Sequence, residues 1–304
     1  MIDFGADLHE MNTVINSKAH RGSNLSAMDS VTIRAIRQNP KIKVVMTDKN
    51  LGPAVIDTRD YYLHMYKHLS DSSKYVQLSE EEAIANMVEV RSDLENIVLK
   101  HDEVTPEHEQ RYFADHACTP DSDYNVPCAY LTIKLLKDPM SSRLIVALTN
   151  SRMAVYSRWC DIKLQLLLQF LPTKFQDSYD LKKRLLANSP FPPKAKLATF
   201  DIDKYYPNIR TEPALQAITW WITTYRDELP ADYPPTDMVI DILRLVMNKN
   251  IFTFDDTYWQ QKEGAAIGTN AAPPYGDLNY GYHEVTFLFK GIRRRAEPSG
   301  PLHR

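Results

Sequence analysis

Asp201 lies in a short apolar run (Leu197, Ala198, Phe200, Ile202) and is followed by Tyr205-Tyr206-Pro207. A strand ending there would present one carboxylate at its tip, with the Ile202 backbone carbonyl beside it. The proline would then turn an aromatic ring back toward the same point. Phosphoryl transfer uses two divalent cations roughly 3.5–4 Å apart, held by carboxylates and phosphate oxygens, and Asp201 with Ile202 supplies part of such a cage. Taken alone, Asp201 reads as a surface or capping aspartate. With Tyr206-Pro207 downstream and a glycine-bearing segment further on, it reads as a metal ligand. Asp203 would face the same side of an extended strand. It reads as a solvated or helix-initiating residue, or as a ligand in a competing class, the Asp-x-Asp metal-dependent glycosyltransferases. The lack of an upstream βαβ glycine motif counts against that class. Tyr206 suits a ring beneath a nucleotide sugar, where it would collide with a 2′-hydroxyl and select deoxyribonucleotides by shape. An ordinary core tyrosine is the alternative.

The glycine-bearing segment runs from Gln261 through Gly264 and Gly268-Thr269 into Ala272-Pro273-Pro274-Tyr275. Close backbone approach to a base pair or a phosphate requires residues without a Cβ. The helix that follows offers an N-terminus that favours anions. Lys134, Lys137 and Arg143 flank a hairpin read over 129–148, and Arg can neutralise a triphosphate bidentately. In isolation they read as a solvated basic turn, as do Asp48-Lys49. Lys182-Lys183-Arg184 and Arg293-Arg294-Arg295 could track a phosphate backbone, although solvated faces explain them as well. Asp255-Asp256 is flanked by two β-rich runs and followed by Thr257; it is turn chemistry, not a catalytic pair.

The elements that must position these residues follow from the pattern. A helix over Ser30–Gln38 stops at Asn39-Pro40. Ile42–Met46 and Ala54–Ile56 form a hairpin around Asp48–Pro53. A helix spans Asp60–Leu69, and another starts at Ser79 with Glu82 in the capping-box position. Residues 101–127 read as loop and short helix. Strands over Ala129–Leu136 and Arg143–Leu148 precede a long helix over 151–171, and Pro190, Pro192 and Pro193 close that block. Helices over 212–228 and 236–249 lead into a hairpin, Ile251–Phe254 with Tyr258–Gln261. A helix over Asn270–Leu288 is interrupted at its start by Pro273-Pro274.

The chain of 304 residues is 43% hydrophobic and 25% charged, which marks a globular protein long enough for about two domains. A net charge of -3 excludes a uniformly basic nucleic-acid coat but not a local basic groove. Its 3 cysteines, Cys118, Cys128 and Cys160, show no Cys-x-x-Cys pairing; this fits a reducing, intracellular compartment and no zinc pattern. No apolar run approaches the ~20 residues of a membrane span, and no targeting signal is visible.

In order, several segments resemble Penelope-like reverse transcriptases and related retroelements. Met46-Thr47-Asp48-Lys49-Asn50-Leu51-Gly52-Pro53-Ala54-Val55-Ile56 resembles their Ala-Asp-Lys-Gly…Val-Val-Ile segment. Tyr130-Leu131-Thr132-Ile133-Lys134-Leu135-Leu136-Lys137 resembles Tyr-x-Leu-Pro-Lys-x-His-Lys, and Arg143-Leu144-Ile145-Val146 resembles Arg-Pro-Ile-Val. Phe200–Ile209 resembles motif A, Phe-Asp-Val-x-Ser-Leu-Tyr-Pro-Ser-Ile, and Gln261–Leu278 resembles motif B. The resemblance covers about residue 30 to 290. It implies an α+β fold, with right-hand polymerase fingers, a partial palm and no thumb. The expected divisions are a polar, helical extension (1–40), a fingers-like region (41–195), the partial palm (196–290) and an irregular tail (291–304). It implies a retrotransposon nucleotidyltransferase that uses Mg²⁺, or Mn²⁺ in its place, to copy an RNA template from a DNA primer with dNTPs, in the nucleus and off the membrane. Asp201 is then the catalytic metal ligand with the Ile202 carbonyl, and Tyr206 the sugar gate. Lys134, Lys137, Arg143, Ile202, Gln261 and Gly268 line the nucleotide. Leu144, Leu136 and Asn270-Ala271 depart from the family pattern. The family's Tyr/Phe-x-Asp-Asp hairpin does not occur before Arg304, and residues 290–304 resemble out-of-frame sequence. The expectation is a domain truncated before that motif and inactive by itself.

Overall fold

Residues 25–117, 126–196 and 198–289 are described in a computed structural model. Most of the N-terminal extension, Cys118, Leu197 and the tail with Arg293-Arg294-Arg295 lie outside the described residues. The described chain opens with helix α1 (Ala27–Gln38) and the hairpin β1 (Ile42–Met46) and β2 (Pro53–Asp57). Helix α2 (Thr58–Leu69), strand β3 (Tyr75–Leu78), and helices α3 (Glu80–Lys100) and α4 (Glu107–Ala117) follow. Next come strands β4 (Cys128–Lys134) and β5 (Ser141–Ala147), then helices α5 (Arg152–Gln165), α6 (Ser178–Ala187), α7 (Thr211–Thr224) and α8 (Thr236–Asn248). Strands β6 (Asn250–Phe254) and β7 (Thr257–Gln261) lead into helix α9 (Ala272–His283).

Local chemistry accounts for most of these boundaries. Ser79 accepts from Glu82 N at 3.1 Å while Glu82 returns a bond to Ser79 N at 2.8 Å, so α3 begins with a complete capping box. The long helix expected over 151–171 stops at Gln165 and tightens into a 3₁₀ turn, Leu168–Phe170. Two elements lack a sequence signal. Strand β3 is short and forms because β7 offers it an edge, Tyr75 opposite Gln261. Helix α6 buries no residue and has no apolar stripe; the Asp177 side chain caps it, accepting from Tyr179 N at 2.8 Å and Asp180 N at 2.9 Å.

The strands form a separate β1–β2 ribbon and a five-stranded sheet in the order β3-β7-β6-β4-β5. Neighbours are antiparallel except β4 and β6, which run parallel where Cys128 faces Thr253. The fold is therefore α+β with a mixed sheet. One apolar cluster joins this sheet to α2, which presents Tyr61, Met65 and Leu69 at helical spacing, and to Val45 and Ile56 of the ribbon. A second, larger cluster lies among α3, α4, α5, α7, α8 and α9. Helix α8 places Met238, Ile242 and Val246 on one stripe and Val239, Leu243 and Met247 beside it, all wholly buried. Each such side chain contributes about 1.5–3 kcal/mol by leaving water. Trp221 is wholly buried and donates from Nε1 to the Leu278 carbonyl at 2.9 Å, tying α7 to α9. Glu109 is buried in the same cluster, ion-paired with Lys163 and accepting from Trp159 Nε1 at 2.7 Å.

Strand β5 ends the sheet, and an open edge exposes unpaired backbone groups. Here the edge is partly covered: Val146 N donates to the Ile267 carbonyl at 2.9 Å. The next residue, Gly268, has φ +122°, and a Cβ there would overlap the Val146 carbonyl oxygen.

Two stability outcomes follow. Gly268→Ala should destabilise the fold by about 2–4 kcal/mol, because it meets both backbone strain and a steric block. Gly52→Ala, at φ +93° with open space around it, should cost ~1 kcal/mol. Equal urea-denaturation midpoints for the two variants would contradict this reading of the β5 edge. Separately, Glu109→Ala should cost ~3–5 kcal/mol by leaving Lys163 buried without its carboxylate. Adding Lys163→Met should recover part of that loss; a double variant less stable than Glu109→Ala would argue against it.

Candidate functional site

The site begins at a left-handed residue. Lys204, at φ 48° and ψ 44°, turns the chain into a single helical turn, Tyr205–Asn208. Upstream, the strand expected to end at Asp201 is not formed: 198–204 carry no strand, Phe200 is 91% exposed and Ile202 42% exposed. A strand needs a neighbour's backbone groups, and among the described residues no strand pairs with this segment. Asp201 and Asp203 are likewise exposed. Among the described residues no group of three or more His, Cys, Asp or Glu is placed to hold a metal ion. Asp201 and Ile202 are exposed on an unpaired segment and belong to no such group, so this arrangement does not fit a two-cation cage.

Downstream, the motif segments do meet. The Tyr206 carbonyl accepts from Ala265 N at 2.9 Å. A Cβ on Gly264, whose φ is +89°, would come within 3.0 Å of the Pro207 carbonyl oxygen. Gln261 is 2% exposed and donates its Nε2 to the carbonyls of Glu263 at 3.0 Å and Gly264 at 3.1 Å. It braces the loop from within. Gly268 seats the far end of that loop on β5.

On a strand, successive residues such as Tyr205 and Tyr206 would point to opposite faces. The helical turn changes that, since successive side chains on a helix are separated by about 100°. Both rings reach Gly276 of α9: a Cβ there would lie 3.2 Å from each Cε1. Tyr205 does go into packing, donating to the Gly276 carbonyl at 2.7 Å and accepting from Asn279 Nδ2 at 3.3 Å. Burial pushes its phenol up to about 12. Tyr206 remains partly exposed. Burial is the main cause that raises its phenol; Asp277 raises it further and the Arg143 charge opposes both.

Arg143 projects from β5 and donates from Nη1 to Asp48 Oδ1 at 2.9 Å. The Asp48 side chain is 14% exposed against 41% for Arg143, so the carboxylate sits beneath the guanidinium and orients it. Asp48 belongs to the turn between β1 and β2, and a bridge from Thr47 to Ile133 holds that turn against β4. Lys134 ends β4 opposite Ser141, and exposed Lys137 lies in the turn beyond it. Asp255, at φ 47°, lies with Asp256 in the β6–β7 turn, as its sequence indicated. Arg184 of the basic cluster on α6 pairs with Asp180 at 3.0 Å and donates to the carbonyls of Pro172 and Lys174.

Sequence reasoning passed over two histidines beside this site. His64 and His68 of α2 approach Ser142, the residue before Arg143. Their i,i+4 spacing on one helix face was the signal that could have found them.

No family model matches the chain, and no curated protein matches it. Among solved structures it is similar to a telomerase from Candida albicans, determined in complex with a fragment of telomeric RNA, at a TM-score of 0.49 and 12% identity. The similarity covers 87% of this chain and 45% of the telomerase chain, so this chain spans less than half the length of that neighbour.

Proposed function

We propose that the chain is the fingers and partial palm of a reverse transcriptase of the Penelope-like kind, which binds deoxynucleotides and primer–template. The observation that carries this reading is convergence. Four motif-bearing segments come together at Arg143 and Tyr206. Asp48 holds Arg143, the Arg143 charge acts on the Tyr206 phenol, Ala265 bonds the Tyr206 carbonyl, and Gly276 receives its ring. An unrelated fold would have no need to gather these segments in one place.

In this reading the Tyr206 ring, backed by α9, forms a floor for the sugar of an incoming nucleotide and rejects a 2′-hydroxyl by contact. Arg143, oriented by Asp48, faces the triphosphate with Lys134 and Lys137 at the hairpin tip. Gly264 and Gly268 let the motif B loop pack against the Tyr205–Asn208 turn and β5, which fixes the loop beside Tyr206. Mg²⁺ or Mn²⁺ would supply charge neutralisation and alignment in phosphoryl transfer. The donors around Asp201 do not fit that cage, so no transfer step is assigned to these residues.

Two outcomes test the proposal. The chain should bind dATP more tightly than ATP, and Tyr206→Ala should erase that preference, on the order of tenfold. Equal affinity of the unaltered chain for both nucleotides would reject the sugar gate. In a primer-extension assay on an RNA template the 304-residue chain should incorporate no dNTP. Mg²⁺-dependent extension abolished by Asp201→Ala would show instead that the metal cage assembles on the substrate.

A further inference from the structure

Where α2 faces β5, two imidazoles close on one hydroxyl. His68 Nε2 lies 3.0 Å from Ser142 Oγ, and Ser142 Oγ lies 3.4 Å from His64 Nδ1. The histidines are one helical turn apart, so both rings present to the same side of α2. All three residues are partly buried, which leaves them within reach of solvent but sheltered from its full screening. Ser142 can donate to one ring and accept from the other, so its hydroxyl couples their tautomers.

The surroundings of this trio are cationic. Burial pushes the His68 imidazole down from its ordinary value; the hydrogen bond with Ser142 opposes this, and the charges of His64, Lys204 and Lys67 push it down further. Lys204 is the exposed left-handed residue that starts the Tyr205–Asn208 turn. Clustered cations with hydroxyl and imidazole donors form a ready receptor for an anion, whose charge would relieve their mutual repulsion. A tetrahedral phosphate suits several donors converging from different elements.

We infer that His64, His68 and Ser142 form a phosphate-binding subsite where α2 faces β5. The inference rests on the nucleotide-binding reading above and extends it to residues outside the motif segments. The phosphate belongs either to a free triphosphate or to a nucleic-acid backbone. Its arrival would favour the protonated imidazoles, turning both rings into donors.

The test follows the two histidine rings by ¹H–¹³C NMR in the full chain while tripolyphosphate, dATP or a primer–template duplex is added. At least one probe should shift the ring signals of both histidines. The His64→Gln/His68→Gln double variant should bind that probe more weakly by on the order of tenfold. Lys204→Asn should weaken it as well; asparagine tolerates the left-handed backbone, and the position is exposed, so loss of folding would not explain the effect. Shifts with tripolyphosphate and dATP alone assign the subsite to a triphosphate, and shifts with the duplex alone assign it to a backbone phosphate. Histidine rings unmoved at saturation by all three probes would overturn the inference, as would wild-type affinity in both variants. The two readings fail separately. If dATP binds through Arg143 and Tyr206 while the histidines stay silent, the subsite is wrong and the proposed function stands. If the histidines hold tripolyphosphate while Tyr206 shows no sugar preference, the subsite stands and the function is wrong.

Discussion

Two main-chain hydrogen bonds hold the loop between β7 and α9 in place. Val146 donates to the Ile267 carbonyl and Ala265 donates to the Tyr206 carbonyl, each at 2.9 Å. Between them they seat one loop against the edge strand β5 on one side and the Tyr205–Asn208 turn on the other. Beside each bond stands a glycine: a Cβ on Gly264 would come within 3.0 Å of the Pro207 carbonyl oxygen, and one on Gly268 would overlap the Val146 carbonyl oxygen. The position of Tyr206 depends on this clamp, and through Tyr206 so does its proximity to Arg143. Asp48 then fixes Arg143 from the neighbouring ribbon.

The contrast with the segment just upstream is instructive. Phe200 and Ile202 are apolar yet exposed, and no strand pairs with them among the described residues. Asp201, which has the most chemical potential in the sequence, therefore lacks the rigid support that a ligand needs. Tyr206, a few residues on, is held by its backbone, its ring and its neighbours. The fold gathers Tyr206, Arg143 and the glycine-bearing loop, whereas Asp201 stays exposed on the segment upstream. The positive charge of Arg143 acts on Tyr206, and those of Lys204 and Lys67 act on His68, in a chain whose net charge is -3. Local placement, not overall charge, therefore sets the electrostatics that an anion would meet.

Much of the architecture was legible from local chemistry. The hairpins at Asp48–Pro53 and Asp255–Thr257 have turn residues flanked by β-rich runs, and the capping box at Ser79 with Glu82 marks a helix start. The stripe of α8 is readable from periodicity alone. Strand β3 and helix α6 were not readable, because one depends on a partner edge and the other has no buried face. The shared side of Tyr205 and Tyr206 was not readable either, since their backbone is a helical turn, whose angular step differs from that of a strand.

By itself, the sequence determined which residues have chemical capacity, where the turns and caps lie, and which glycines mark close approach. These are short-range properties, set by side-chain type, backbone freedom and spacing within a few residues. Tertiary structure alone decided that Asp48 would orient Arg143, that Gln261 would brace a loop from inside, and that His64 and His68 would close on Ser142. It also left Asp201 on an unpaired segment. Each of these outcomes depends on distant backbones finding or missing a partner, and neither propensity nor periodicity encodes that pairing.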